Sequence, residues 1–387
     1  MASSLVAERP AYYPALTGIR AIAAYLVFFV HFRPVGTPEP VGRVLTAFFI
    51  TLSMFFVLSG FVIASRYQGS VQLTRGWWRE YFWRRVARIY PVYFLLNSSA
   101  LFHVYWPWPE GKTTNTLLLI SLSESMLRGF SNTLKYVGLP QGWSLTPEEC
   151  FYFSVPVLLV LWQRRGLLGA VGFVLATFAT GVVLTLLCKD RPELHGLFGT
   201  WHHLFGFTFF GRVFEFVLGV GLARWWGGRP SGQAAGVPWR TLAGLLWMAA
   251  TVGILAWINS PQTPYDGNVY PSTIFFNIII FPIGMTLFLA GLLAERSWVR
   301  RFLSTRLIHA LGQRSFVFYL LHVGVFSIWW HDTFGFGRHI ILQFFATIAL
   351  AEIGHRLWEE PMHRWILART VGYKKRRDQL DITPNQG

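Results

Sequence analysis

Ten apolar runs of about 20 residues, each long enough as a helix to cross a hydrocarbon core of about 30 Å, leave this chain one class of fold. They lie at 17–33, 46–65, 89–106, 147–163, 167–187, 204–226, 240–258, 273–293, 315–331 and 338–358. In lipid, backbone donors and acceptors must be satisfied within the spanning structure, so such runs are expected to be helices. The expectation is an all-α, polytopic transmembrane helical bundle of about ten spans. Only short loops remain among 387 residues. The membrane domain is therefore placed at 1–370, followed by a basic, partly disordered tail at 371–387.

Charge sets the orientation. A formal charge of +16 in a soluble chain would suggest nucleic acid, but here the arginines gather at span ends, as in membrane proteins. The expected partner is the bilayer, with no nucleic acid. Thr116–Phe130 is the ambiguous stretch: it begins apolar but is interrupted by Ser121, Ser123, Glu124 and Arg128 and is short for a span. If it does not cross, Arg66–Arg88, Arg164-Arg165, Arg224–Arg240, Arg296–Arg314 and the tail through Arg377 all share the side of the N-terminus. That side is then the cytoplasm. The stretch is accordingly expected to be an interfacial or re-entrant element on the outer side, with both chain termini cytoplasmic. Acid and proline before the first apolar run argue against a removable signal peptide. Cys150 and Cys188 have no metal or redox spacing, and no metal is expected.

Within the first run, Arg20 and His31 are eleven residues apart. Eleven helical steps come to within about 20° of three whole turns and rise about 16 Å, so both side chains share a face across much of a membrane. Each residue on its own would also serve as an interfacial anchor. The second run contains small residues, Ser59 and Gly60, where a neighbouring helix could approach closely. The basic, aromatic stretch Trp77–Pro91 is expected to be a cytoplasmic loop, either lying on lipid headgroups or binding phosphate. Arg85 and Arg88, three apart, would share a face there. Thr146-Pro147 followed by Glu148-Glu149 is a helix-start pattern. Capping accounts for one carboxylate, and Glu148 or Glu149 is a candidate to meet His31 at the outer side. Arg212 and Glu215 form a candidate internal ion pair, and Tyr319 and His322 lie on one helical face.

Taken in order, these stretches resemble the acyltransferase-3 family of bacterial integral-membrane acyltransferases. The matching motifs are Arg20-x10-His31, the run Phe55–Phe61, Arg85-x-x-Arg88-Ile89-x-Pro91, Trp143-Ser144-Leu145-x-x-Glu148, Arg212-x-x-Glu215-Phe216-x-x-Gly219, Tyr319-Leu320-x-His322 and Glu360-Pro361. The chain departs from the family pattern at Pro147 and Cys150. No esterase-like domain is expected after the last run, and the membrane domain itself is expected to modify the acceptor.

The resemblance implies a multi-pass protein of the bacterial cytoplasmic (inner) membrane. It would move an acyl group, usually acetyl, from cytoplasmic acyl-CoA to a hydroxyl of a carbohydrate or glycosylated acceptor. No resident cofactor is implied; acyl-CoA is the donor substrate. Arg20, Arg85 and Arg88 would bind its phosphates, and His31, oriented by Glu148, would act as general base or transient acyl carrier. Ser144, Arg212, Tyr319 and His322 would support them. The rival reading is a transporter or flippase for a glycan or anionic substrate, with the polar line as its path. The sequence leaves the oligomeric state open.

Overall fold

The computed structural model describes residues 13–105, 113–229, 237–258 and 271–371. The tail expected beyond 371, and the first twelve residues, lie outside them. Among the described residues the chain is helical, with no strand. In order the helices are α1 (Pro14–His31), α2 (Glu39–Ala47), α3 (Leu52–Tyr67), α4 (Arg75–Tyr105), α5 (Thr113–Glu124), α6 (Leu145–Cys188), α7 (Trp201–Phe207) and α8 (Phe209–Gly227). They continue with α9 (Trp239–Ile258), α10 (Pro271–Phe275), α11 (Phe281–Ala294), α12 (Trp298–Leu303), α13 (Arg306–Leu321), α14 (Val325–Phe334), α15 (Ile340–Gly354) and α16 (Glu360–Thr370).

Seven helical segments are long and apolar enough to cross a membrane, or eight if α13 and α14, bent by 72°, form one span. The difference between eight and ten has two sources. Two expected spans, 147–163 and 167–187, fall within α6, where Gly166 takes the non-helical pair φ 59°, ψ −142°. A Cβ on Gly169 would stand 2.3 Å from the Leu161 carbonyl oxygen, whereas eight residues of continuous helix would separate the two by about 12 Å. The chain therefore doubles back at Gly166, whose positive φ costs glycine little. The second source is α4. The expected loop at 77–88 and span at 89–106 are a single 31-residue helix with Pro91 inside it, and this helix is not among the segments apolar enough to cross.

Packing follows the small residues. Gly60 on α3 and Gly219 on α8 face each other: a Cβ on Gly60 would lie 2.1 Å from the Phe216 carbonyl oxygen, and one on Gly219 would lie 2.0 Å from that of Val57. Any side chain there would push the two helices apart. α1 lies along α13, and α8 also contacts α6. The stretch at 116–130 forms the end of α5 and a short 3-10 turn, Leu127–Phe130. At twelve residues, α5 is about 18 Å long, too short to span. The following chain folds around Arg128, 2% exposed, which donates to the carbonyls of Lys135 (3.1 Å), Val137 and Leu139 (2.5 Å). Asn97 Oδ1 accepts from the Leu139 amide at 3.0 Å and from Ser123 Oγ at 3.1 Å, which ties this cap to α4.

Candidate active site

α1 brings its two polar residues to two adjoining cavities. The first, about 310 Å³, is lined by Arg20, Arg66, Arg85, Arg88 and Glu148 together with Ser59 and Tyr152. Four guanidinium groups thus face one carboxylate. Glu148 Oε1 accepts from Ser59 Oγ at 2.8 Å and from the Tyr152 hydroxyl. Arg85 lies between the rings of Tyr67, Tyr81 and Tyr152, 5.3–5.5 Å from each centroid, a cation held by aromatic faces. Among the described residues, neither Arg20 nor Arg88 forms a hydrogen bond or ion pair. With four arginines to one glutamate, the cavity carries a positive excess that favours an anion.

The second cavity, about 420 Å³, contains His31, Gln141, Trp143 and Tyr136 in its wall. Leu52 and Tyr319 line both cavities. His31 Nδ1 lies 3.0 Å from the Val27 carbonyl, which can only accept, so Nδ1 carries the proton and Nε2 is the basic nitrogen. The His322 ring is 5.1 Å from that of His31, at 66°. His322 Nδ1 donates to the Tyr319 carbonyl at 2.6 Å, and its Nε2 is buried without a partner among the described residues. Both imidazoles are therefore held by backbone in the tautomer with a basic Nε2.

This corrects the expected pairing of His31 with a glutamate. Glu148 is bound to Ser59 and Tyr152, and Glu149 Oε2 accepts from Tyr90 at 3.2 Å. Glu148 or Glu149 is expected to meet His31 at the outer side, but α6 begins inside the bundle: Gln141, Ser144 and Thr146 are all buried. Its first turn therefore meets α3 and the Arg20 end of α1. Arg85 and Arg88 likewise sit on helix α4 against the same cavity as Glu148, not in a separate loop.

The expected supporting residues divide into two groups. Tyr319 and Ser144 share a hydrogen bond of 2.8 Å, and Ser144 Oγ donates to the Gln141 carbonyl at 3.0 Å. Both line the first cavity, and Tyr319 lines the second as well. Arg212, 1% exposed, is fully engaged: it forks onto Glu215 at 2.8 and 2.7 Å and donates to the Gly206 carbonyl at 3.0 Å and to Ser53 Oγ at 2.9 Å. Ser53 in turn donates to Asn277 Oδ1 at 2.9 Å, which joins α3 and α8 to the π-helical turn Phe276–Ile280.

The family model described as an acyltransferase domain matches residues 13–353, nearly the whole chain. The chain belongs to the acyltransferase-3 family. Among curated relatives of this acyltransferase-3 protein, acyltransferase MdmB of Streptomyces mycarofaciens is 28% identical over 343 residues, covering 80% of this chain and 78% of MdmB. A protein of Staphylococcus aureus (strain COL) named "Putative O-acetyltransferase" is 24% identical over 395 residues, 91% of this chain and 58% of that protein. "Putative peptidoglycan O-acetyltransferase YrhL" of Bacillus subtilis (strain 168) is 25% identical over 399 residues, 94% of this chain and 56% of YrhL. The chain thus spans little more than half the length of the latter two. No solved structure matches it significantly.

Two contributors were missed in the sequence. Arg66 follows Ser59 by seven residues, about two helical turns, so the same spacing argument that paired Arg20 with His31 would have put it on the face of Ser59. Gln141 had no such signal. It precedes α6 in a 3-10 turn and reaches α13, donating from Nε2 to the carbonyls of Leu320 (2.6 Å) and Val323 (2.7 Å). Those carbonyls flank His322, where α13 ends and the chain bends into α14. Gln141 thereby satisfies backbone that the bend exposes. Among the described residues no group of three His, Cys, Asp or Glu is arranged to hold a metal ion.

Proposed function

We propose that this chain is an O-acyltransferase of the bacterial cytoplasmic membrane that takes an acyl group, most simply acetyl, from acyl-CoA and gives it to a hydroxyl of a carbohydrate or glycosylated acceptor. The observation that carries this reading is the pairing of two unlike cavities across Tyr319. One presents Arg20, Arg66, Arg85 and Arg88, and the other presents His31 backed by His322. CoA is a polyanion with a long neutral arm. Its phosphates suit the arginines, through charge-assisted and forked hydrogen bonds. Its thioester would then reach toward Tyr319 and His31.

His31 Nε2 removes the hydroxyl proton as the acceptor oxygen attacks the thioester carbonyl; the carbon–sulfur bond breaks, and CoA leaves as a thiolate that regains a proton. A positioned base of this kind contributes about 10² to 10⁴-fold. In the stepwise variant His31 itself takes the acyl group and passes it on. Glu148, within the arginine cavity, limits its net positive charge and positions Ser59 and Tyr152 beside the donor. The relatives' names, an acyltransferase and two O-acetyltransferases, support the same chemistry.

The test is incubation of the purified protein with radiolabelled acetyl-CoA, with free thiol and acylated product followed with and without glycosides. Acceptor-dependent CoA release that is lost in His31→Ala is the expected result. Equal release from both proteins would overturn the assignment of His31. Label held on protein in single turnover, and absent in the variant, marks the covalent route. Glycoside movement across vesicles without CoA release would favour the transporter reading.

A further inference from the structure

The hairpin of α6 holds a feature that acyl transfer does not use. Away from the turn at Gly166 its two arms part, and a groove of about 940 Å³ opens between them. It runs from Arg165 to Ser154 on the first arm and from Leu168 to Thr180 on the second. Eleven residues separate Arg165 from Ser154, about 16 Å of helix and half of a hydrocarbon core of about 30 Å. Phe209 and Phe210 of α8 close the far end: a Cβ on Gly181, one residue past Thr180, would stand 2.4 Å from Phe210 Cβ. The groove is therefore about one leaflet deep.

Two glycines three residues apart in this hairpin differ. At Gly169 the arms touch, with the Leu161 carbonyl oxygen 2.3 Å from where a Cβ would stand, so packing accounts for the glycine. A Cβ on Gly172 would meet nothing within 4 Å. Glycine weakens a helix interior, and no neighbour in the chain requires one here. Its missing side chain leaves room in the groove for a molecule from outside the chain.

The walls narrow the occupant. Ser154 Oγ donates to the Phe151 carbonyl at 3.2 Å and Thr180 Oγ1 to that of Ala176 at 2.8 Å, so these hydroxyls at the closed end serve their own helix. Most of the remaining wall is hydrocarbon. At the other end Arg165 and its neighbour Arg164 are exposed, and neither has a carboxylate partner among the described residues. A spanning helix from a second copy would run the whole depth of the core and meet Phe209 and Phe210 halfway. An uncharged alkyl chain would leave both arginines without a counterion. A lipid with a negative headgroup and a chain one leaflet long satisfies both ends.

We propose that this groove binds one anionic phospholipid, its phosphate at Arg164 and Arg165 and one acyl chain lying between the arms of α6 over Gly172. The site stands apart from the arginine and histidine cavities and does not rest on the acyl-transfer reading.

Native mass spectrometry of the detergent-solubilised chain, offered equal amounts of dioleoyl phosphatidylglycerol and dioleoyl phosphatidylcholine, reads the preference. Phosphatidylglycerol should be retained over phosphatidylcholine. Replacing Arg164 and Arg165 together by Ala should lower its retention about fivefold for each charge removed and leave phosphatidylcholine unchanged. Location is read with phosphatidylglycerol that carries a photoreactive diazirine in one chain. Cross-links should concentrate at 154–180, and Gly172→Phe, whose ring enters open space, should remove them in a protein that melts as the wild type does. Equal retention of the two lipids would overturn the proposal, as would retention unchanged in the double variant or cross-links spread evenly over the exposed helices. A wild-type dimer that Gly172→Phe dissociates without loss of the lipid would give the groove to a second copy instead.

Discussion

The two ends of α1 use burial in opposite ways. At the Arg20 end, cations are gathered faster than anions: four arginines line a cavity with a single glutamate, and Arg20 and Arg88 have no hydrogen-bond or ion-pair partner among the described residues. At the His31 end the imidazoles are pinned by backbone carbonyls, and the arginine in the wall, Arg212, is bound on every side. The contrast between the half-buried Arg20 and the buried Arg212 separates two uses of a guanidinium group. Arg212 holds helices together. Arg20 and its neighbours line a cavity in contact with solvent, and under the proposed function their charge is available to an anionic donor.

The largest effect expected from breaking this contrast is at the histidine end. His31→Ala should lower the rate of acyl transfer by about 10² to 10⁴-fold while acyl-CoA affinity stays near that of the wild type. Titration calorimetry beside a turnover assay separates the two quantities, and a parallel fall in donor affinity would move His31 to the donor site.

Removing Arg212 should act on folding instead. Arg212→Ala leaves Glu215 buried and unpaired, a loss of about 3–5 kcal/mol for a pair of this kind. Thermal unfolding in detergent reads it, and Arg212→Lys should not restore the forked contact. A variant as stable as the wild type would erase the distinction between the two classes of arginine.

At the other end, replacing Arg85 and Arg88 together by Ala should weaken acyl-CoA binding by about 1.5–3 kcal/mol for each charged hydrogen bond lost. Unfolding should be affected far less than in Arg212→Ala. Steep salt dependence of donor binding in the wild type, flattened in the double variant, would sharpen the assignment.

The smallest effect concerns the wall between the cavities. Tyr319→Phe removes the hydroxyl that meets Ser144 at 2.8 Å, worth about 0.5–1.5 kcal/mol of stability as an ordinary net hydrogen bond. If transfer falls by more than that bond accounts for, Tyr319 also guides the donor arm between the two sites.

Much of this was present in local sequence. The apolar runs determined a helical membrane protein, because length and hydropathy leave lipid-crossing backbone few alternatives. Helical periodicity determined that Arg20 and His31 share a face, and spacing within single helices gave the Arg212–Glu215 pair. Short-range geometry repeats every 3.6 residues, so it can be read from one helix alone.

What only the tertiary structure decided is which residues those faces meet. Glu148 joins the Arg20 end, not the His31 end, because α6 starts among buried residues inside the bundle. His31 meets His322 because α13 stops at Leu321, and the carbonyls around that stop are held by Gln141, some 180 residues earlier in the chain. Contacts between helices have no period in the sequence. They depend on the depth at which each helix begins and on where it breaks, and both are set by packing between distant segments.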